Sequence, residues 1–201
     1  MNQKTRVNVA YLGIATVILY IIVVALYFAA NTQTTLSAWE TVTILSAPVI
    51  LLVLLSILVD VEDNKKAWGT AAISFMTCTT ALTGIAHFVN ITVTRALAAR
   101  GIAVPAYFQI GQWPSVEMAI DYLAWGFFTG LAFLCAAVAL SPKMKHVKTT
   151  LAVSGCFCII GMAGPIFNYE MLWFISVAGY AIGTPVICLQ MISFYKKKEN
   201  E

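Results

Sequence analysis

Long apolar runs broken by short polar segments set the pattern of this chain. A run of about 20 apolar residues spans the ~30 Å hydrocarbon core of a bilayer as a helix. Six such runs occur, at about 7–30, 38–61, 67–98, 115–140, 149–167 and 171–195. Within lipid, a continuous helix satisfies its own backbone donors and acceptors, so each run predicts one span. The fold class is therefore all-α, a polytopic bundle of six transmembrane helices, with residues 1–201 forming a single domain. The breaks fall at 31–37, 60–66, 101–114, 141–148 and 168–170, and Pro48 and Pro185 lie inside spans. The longest break, 101–114, is too apolar for a solvated linker, with Ile102, Val104, Tyr107, Phe108, Ile110 and Trp113. It reads as a lid folded onto the bundle or lying in the membrane interface.

One stretch departs from the apolar pattern. In TALTGIAHFVNITVTR, residues 80–95, a spacing of about 3.6 residues per turn puts Thr80, Thr83, His87, Asn90 and Thr94 on one narrow helix face. A polar stripe on an otherwise apolar helix needs something polar to meet. Gly126 and Gly130, and likewise Gly179 and Gly183, place small residues on one face of spans four and six, which reads as close helix packing.

Composition supports the bilayer reading. The chain is 60% hydrophobic and 10% charged, against about 25% charged in soluble domains. Charge adds the orientation. Lys4, Arg6, Lys65, Lys66, Lys143, Lys145, Lys148, Lys196, Lys197 and Lys198 fall on one side of a six-span topology, and only Arg95 and Arg100 on the other. That asymmetry places both termini in the cytoplasm. The expected location is a prokaryotic cytoplasmic (plasma) membrane. Trp39, Trp113 and Trp173 then mark the outer interface, and Trp68 and Tyr195 the inner one. The first apolar run, about 24 residues, is too long for the h-region of a signal peptide. The five cysteines all lie within apolar runs and form no C-x-x-C pair, so they read as packing residues. The expected partners are membrane lipids and a small amphipathic ligand, not nucleic acid; a homo-oligomer is left open.

With that orientation, the polar residues of the spans converge at one depth on the outer side. His87 and Asn90 lie in the outer third of span three, and Glu117 and Asp121 follow at i and i+4 on one face of span four. A single histidine in a bundle more often bonds a neighbouring helix, and Glu117 could be a first-turn charge favoured by the helix dipole with Ser115 as cap. An aspartate a turn deeper has less reason to be there without a partner or cavity. The set therefore points to a site: His87, Asp121 and Glu117 as catalytic candidates, and Thr83, Asn90, Arg95, Trp125 and Tyr180 as ligand-binding candidates. His87 and Asp121 should face one cavity, with Thr83 and Asn90 on the same wall and Glu117 at the mouth, paired with Arg95 or Arg100. Glu40, Asn168 and Glu170 read as solvated or capping residues.

No cofactor or metal is expected, since the chain has two histidines and His146 sits in a basic turn suited to anionic headgroups. Neither a G-x-S-x-G elbow nor a phosphate-binding glycine loop is present. The predicted function is a membrane protein with a polar cavity open to the outer face, binding a small amphipathic or lipid-like ligand. A histidine and a carboxylate there could make it a membrane-embedded acid–base enzyme. Two alternatives stand beside it: an ion- or proton-coupled transporter or channel, its path extended inward by Ser56, Thr184 and Gln190, and a non-enzymatic sensor or binding protein.

Overall fold

The computed structural model describes residues 1–199, apart from the side chains of 170, 198 and 199. The expectation for Glu170 and the end of the charged tail therefore lie outside the described residues. Six helices are long and apolar enough to cross a membrane: α1 (Gln3–Ala30), α2 (Gln33–Leu58), α3 (Asp63–Ala99), α4 (Val116–Ala139), α5 (Pro142–Phe167) and α6 (Trp173–Lys197). No strand occurs among the described residues.

Capping chemistry sets the helix ends, and it moves several of them from where hydropathy puts them. Asn2 accepts a hydrogen bond from the Thr5 backbone N–H at 2.8 Å, so α1 starts before its apolar run. Thr32 and Thr35 form a reciprocal capping box that starts α2 at Gln33, five residues ahead of the hydropathy boundary at Ala38. Ser115 caps α4 through the Met118 N–H at 3.1 Å. Ser141 and Pro142 open α5, so Lys145, His146 and Lys148 belong to a helix and not to a basic turn. Asn31 and Asn168 adopt left-handed conformations that end α1 and α5.

The helices form a closed ring in chain order. Each packs on its sequence neighbours, and α6 returns to pack on α1. One end of the ring gathers Arg6, Asp60, Leu140, Lys143 and Tyr195 around a shared groove; we call it the basic end. Arg6 is 7% exposed there, donating to Asp60 Oδ2 at 2.5 Å and to the Tyr195 hydroxyl at 3.2 Å. Tyr195 is thus a buried core residue, not the interface residue the sequence suggests. Toward this end the ring is filled by Leu54, Met76, Phe133, Ile187 and Met191, each at most 1% exposed.

Small residues let α5 approach both neighbours. A Cβ on Gly179 would meet the Ser154 carbonyl oxygen at 2.7 Å, and one on Gly130 would meet Ile159 at 2.8 Å. The outer surface carries the opposite composition. Phe28, Phe167, Phe174, Ile21 and Ile166 are exposed, and α1 buries only 17% of its most apolar window. Exposed apolar surface this extensive marks a membrane or protein interface. Together with the six long apolar helices it is compatible with an integral membrane protein.

The break at 101–114 divides into two halves. Its first half leaves Ile102, Tyr107 and Phe108 exposed. Its second half folds back: Trp113 donates to Asn168 Oδ1 at 2.7 Å, and its ring lies 5.3 Å from that of Trp173.

Candidate functional site

A cavity occupies the centre of the ring, on the side away from the packed basic half. Five of the six helices line it: Val17 and Tyr20 from α1, Trp39, Thr43, Ser46 and Ile50 from α2, His87 from α3, Asp121 and Trp125 from α4, and Tyr180 and Ala181 from α6. The Trp125 and Tyr180 rings lie 4.9 Å apart. The lining hydroxyls on α2 are already engaged. Thr43 donates to the Trp39 carbonyl at 2.9 Å and Ser46 to the Val42 carbonyl at 2.7 Å. The ionisable chemistry of the wall then centres on His87 and Asp121, beside the Tyr20 and Tyr180 hydroxyls and the buried Trp39 indole N–H.

These two side chains meet directly, His87 Nε2 to Asp121 Oδ1 at 3.2 Å. An ionised carboxylate only accepts, so the pair requires the proton on Nε2. That leaves Nδ1, which is buried and has no partner. His87 is the enclosed member, its side chain 4% exposed, and Asp121 the accessible one at 24%.

Behind the pair lies a second polar group. Glu40 is 1% exposed and accepts a hydrogen bond from the Asn90 amide, joining α2 to α3. Glu117 is 3% exposed, and neither of its oxygens makes a hydrogen bond of good geometry; the Ile110 backbone N–H from the 101–114 segment is the donor that faces it. Glu40, Glu117 and His87 are close enough to feel one another's charge. Glu40 Oε2, both Glu117 oxygens, Thr83 Oγ1 and His87 Nδ1 are all buried without partners. Stranded buried polar atoms are costly, and ordered water is their usual remedy. Of the cavity, about 40 Å³ can be reached by the centre of a water molecule, enough for a few waters at roughly 10–15 Å³ each.

The backbone around the site is unusual in a consistent way. Three π-helical segments interrupt the α-helices: Asn90–Thr94 in α3, Leu123–Phe128 in α4 and Ala178–Ile182 in α6. Each contains a residue of the candidate set, respectively Asn90, Trp125 and Tyr180. His87 and Asp121 sit just ahead of the first two. A π turn carries one extra residue, frees backbone carbonyls and is found often at functional sites. Here the Ala124 carbonyl accepts from both Thr79 and Thr129 hydroxyls at 3.1 Å, so the distortion is tied to the neighbouring helix.

Measured against the candidates from sequence, the structure brings His87, Asp121, Trp125 and Tyr180 to one cavity. Thr83 and Asn90 are buried beside it but do not line it, and Asn90 turns to Glu40. Two expectations are corrected. Glu117 is not at an open mouth paired with arginine: it is enclosed, and Arg95 and Arg100 are exposed and in no ion pair among the described residues. Glu40 is not a solvated capping residue. The early start of α2 puts it about two turns inside the helix, and that start was readable from the Thr32/Thr35 pair. Tyr20 and Trp39 were missed because nothing separates them from interface aromatics by sequence alone. Among the described residues, no group of three or more His, Cys, Asp or Glu side chains is arranged to hold a metal ion.

In comparison with known proteins, the chain matches no family model, no curated protein and no solved structure at a significant level.

Proposed function

We propose that this chain is a membrane protein that binds a small amphipathic or lipid-like molecule in its central cavity, with the molecule's polar end at His87 and Asp121. The observation that carries this reading is the accessible carboxylate of the His87–Asp121 pair, set in a wall otherwise aromatic and apolar. Pockets of that make-up, mostly apolar with a few placed polar groups, are typical of small-molecule sites. The basic end faces the cytoplasm, because Lys4, Lys65, Lys66, Lys143, Lys145, Lys148, Lys196 and Lys197 all belong to it. The cavity then lies in the outer half of the membrane.

A second reading, acid–base catalysis on the bound molecule, is favoured by one specific feature. His87 Nδ1 is an unpartnered proton acceptor with Glu117 and Glu40 nearby, the arrangement a proton shuttle needs. A transmembrane path is disfavoured. Ser56 bonds its own helix at the Val53 carbonyl, Gln190 is tied to Thr150, and the basic half is closed by packed apolar side chains.

The test is extraction and mass spectrometry of small molecules that co-purify with the protein from membranes, compared with Asp121→Asn and His87→Ala. One species enriched with the parent protein and depleted at least tenfold from both variants, each still folded, is the expected result. Identical extracts from all three proteins would refute the reading.

A further inference from the structure

We infer that the molecule this cavity takes is an organic cation, a protonated amine with an apolar body. The inference rests on the ligand-binding reading above and adds the chemical class. Two features select a cation over an anion or a neutral alcohol, and a third accommodates its apolar body.

Charge comes first. Asp121 presents its carboxylate to the cavity, and only its Oδ1 meets His87. No lysine or arginine lines the cavity. The one basic group, His87, already has its Nε2 committed to Asp121. A carboxylate or phosphate ligand would meet like charge with no fixed positive partner.

The second feature is the aromatic surround. Tyr20, Trp39, Trp125 and Tyr180 come from four different helices and line the same space as Asp121. Tyr20 and Tyr180 are both near enough to Asp121 to feel its charge. Aromatic faces attract ammonium groups, most strongly where water is excluded, and aromatic cages closed by a carboxylate suit that purpose. The third feature is the rest of the wall. Val17, Ile50 and Ala181 offer only apolar contact, which accommodates an alkyl or ring body.

The experiment uses the full-length protein in lipid nanodiscs, with empty nanodiscs as the partition control. Three probes share one chain and differ only in the head: octylammonium, 1-octanol and octanoate. Binding is followed by tryptophan fluorescence, since Trp39 and Trp125 line the cavity, and by calorimetry. Octylammonium is expected to bind saturably and at least tenfold more tightly than either other probe. Asp121→Asn keeps an acceptor for His87 Nε2–H and removes the charge. It should weaken octylammonium at least tenfold and change 1-octanol less than twofold. Equal or tighter binding of 1-octanol or octanoate overturns the cation inference and leaves the ligand-binding reading standing, as does full retention of octylammonium by Asp121→Asn. Saturable binding of none of the three overturns both. If Asp121→Asn does not fold, the probe series on the unaltered protein decides alone.

Discussion

Replacing Asn90 by leucine isolates the contact that joins α2 to α3 behind the cavity. The Asn90 amide donates to Glu40 Oε1, and Glu40 Oε2 has no partner. Asn90→Leu therefore strands a whole carboxyl group that is 1% exposed. An interhelical hydrogen bond in a membrane protein averages about 0.6 kcal/mol, with a maximum near 1.7. Leaving a buried polar group unsatisfied costs roughly 1–3 kcal/mol, and more for a charge. The stranding term dominates, so a loss of about 2 kcal/mol is expected. For a protein of this size that is a fall of roughly 4–8 °C in the unfolding midpoint. Glu40→Met strands only an amide and should cost about 1 kcal/mol. The double variant removes both polar groups while keeping the volume, and should be more stable than Asn90→Leu alone. Thermal unfolding of the four proteins in one detergent, followed by tryptophan fluorescence, measures the cycle. Additive losses, with the double variant the least stable, would refute the claim that the two buried polar groups depend on each other.

Three other outcomes follow from the structure. Gly179→Ala should destabilise the protein by about 1–3 kcal/mol, because its Cβ would lie 2.7–2.8 Å from α5 atoms, the Ser154 carbonyl oxygen among them; Gly84→Ala, with nothing within 4 Å, should be neutral or slightly stabilising in the same unfolding assay. In a cysteine-free background, an impermeant thiol reagent on intact cells should label Gln109→Cys and spare Lys145→Cys, and the reverse pattern would invert the orientation. The Trp113 indole N–H, bonded to Asn168, should exchange more slowly than the Trp68 indole, and equally fast exchange of the two would show that the second half does not dock.

How far the sequence reaches differs between fold and site. The six helices were legible because lipid imposes one rule, an apolar run of sufficient length, and each run obeys it. Helix ends were less legible, because capping by Asn2, Thr32 and Ser141 overrides hydropathy there. At the site, the approach of His87 to Asp121 followed from shared depth and facing. Depth alone does not give rotation about the helix axis. Asn90 and Thr83 share a face with His87 in sequence, yet they turn away from the cavity, and the π segment beginning at Asn90 takes Thr94 out of phase with the stripe. Arg95 was expected to reach Glu117 because both sit near the same level. The structure leaves Arg95 exposed and Glu117 enclosed.

The three π segments also make this ring tolerant of changes in sequence length. A π turn takes up one extra residue in a wider turn, so deleting one residue from Leu123–Phe128 would restore regular winding and leave Asp121 near the face it now turns to His87. The packed half beyond, with Phe133 in α4 and Ile187 in α6, would keep its register. The same deletion in a regular stretch of helix would rotate one half against the other by about 100°. Proteins that share this ring but lack a π turn should therefore align with a one-residue gap inside α3, α4 or α6, at the level of the cavity floor.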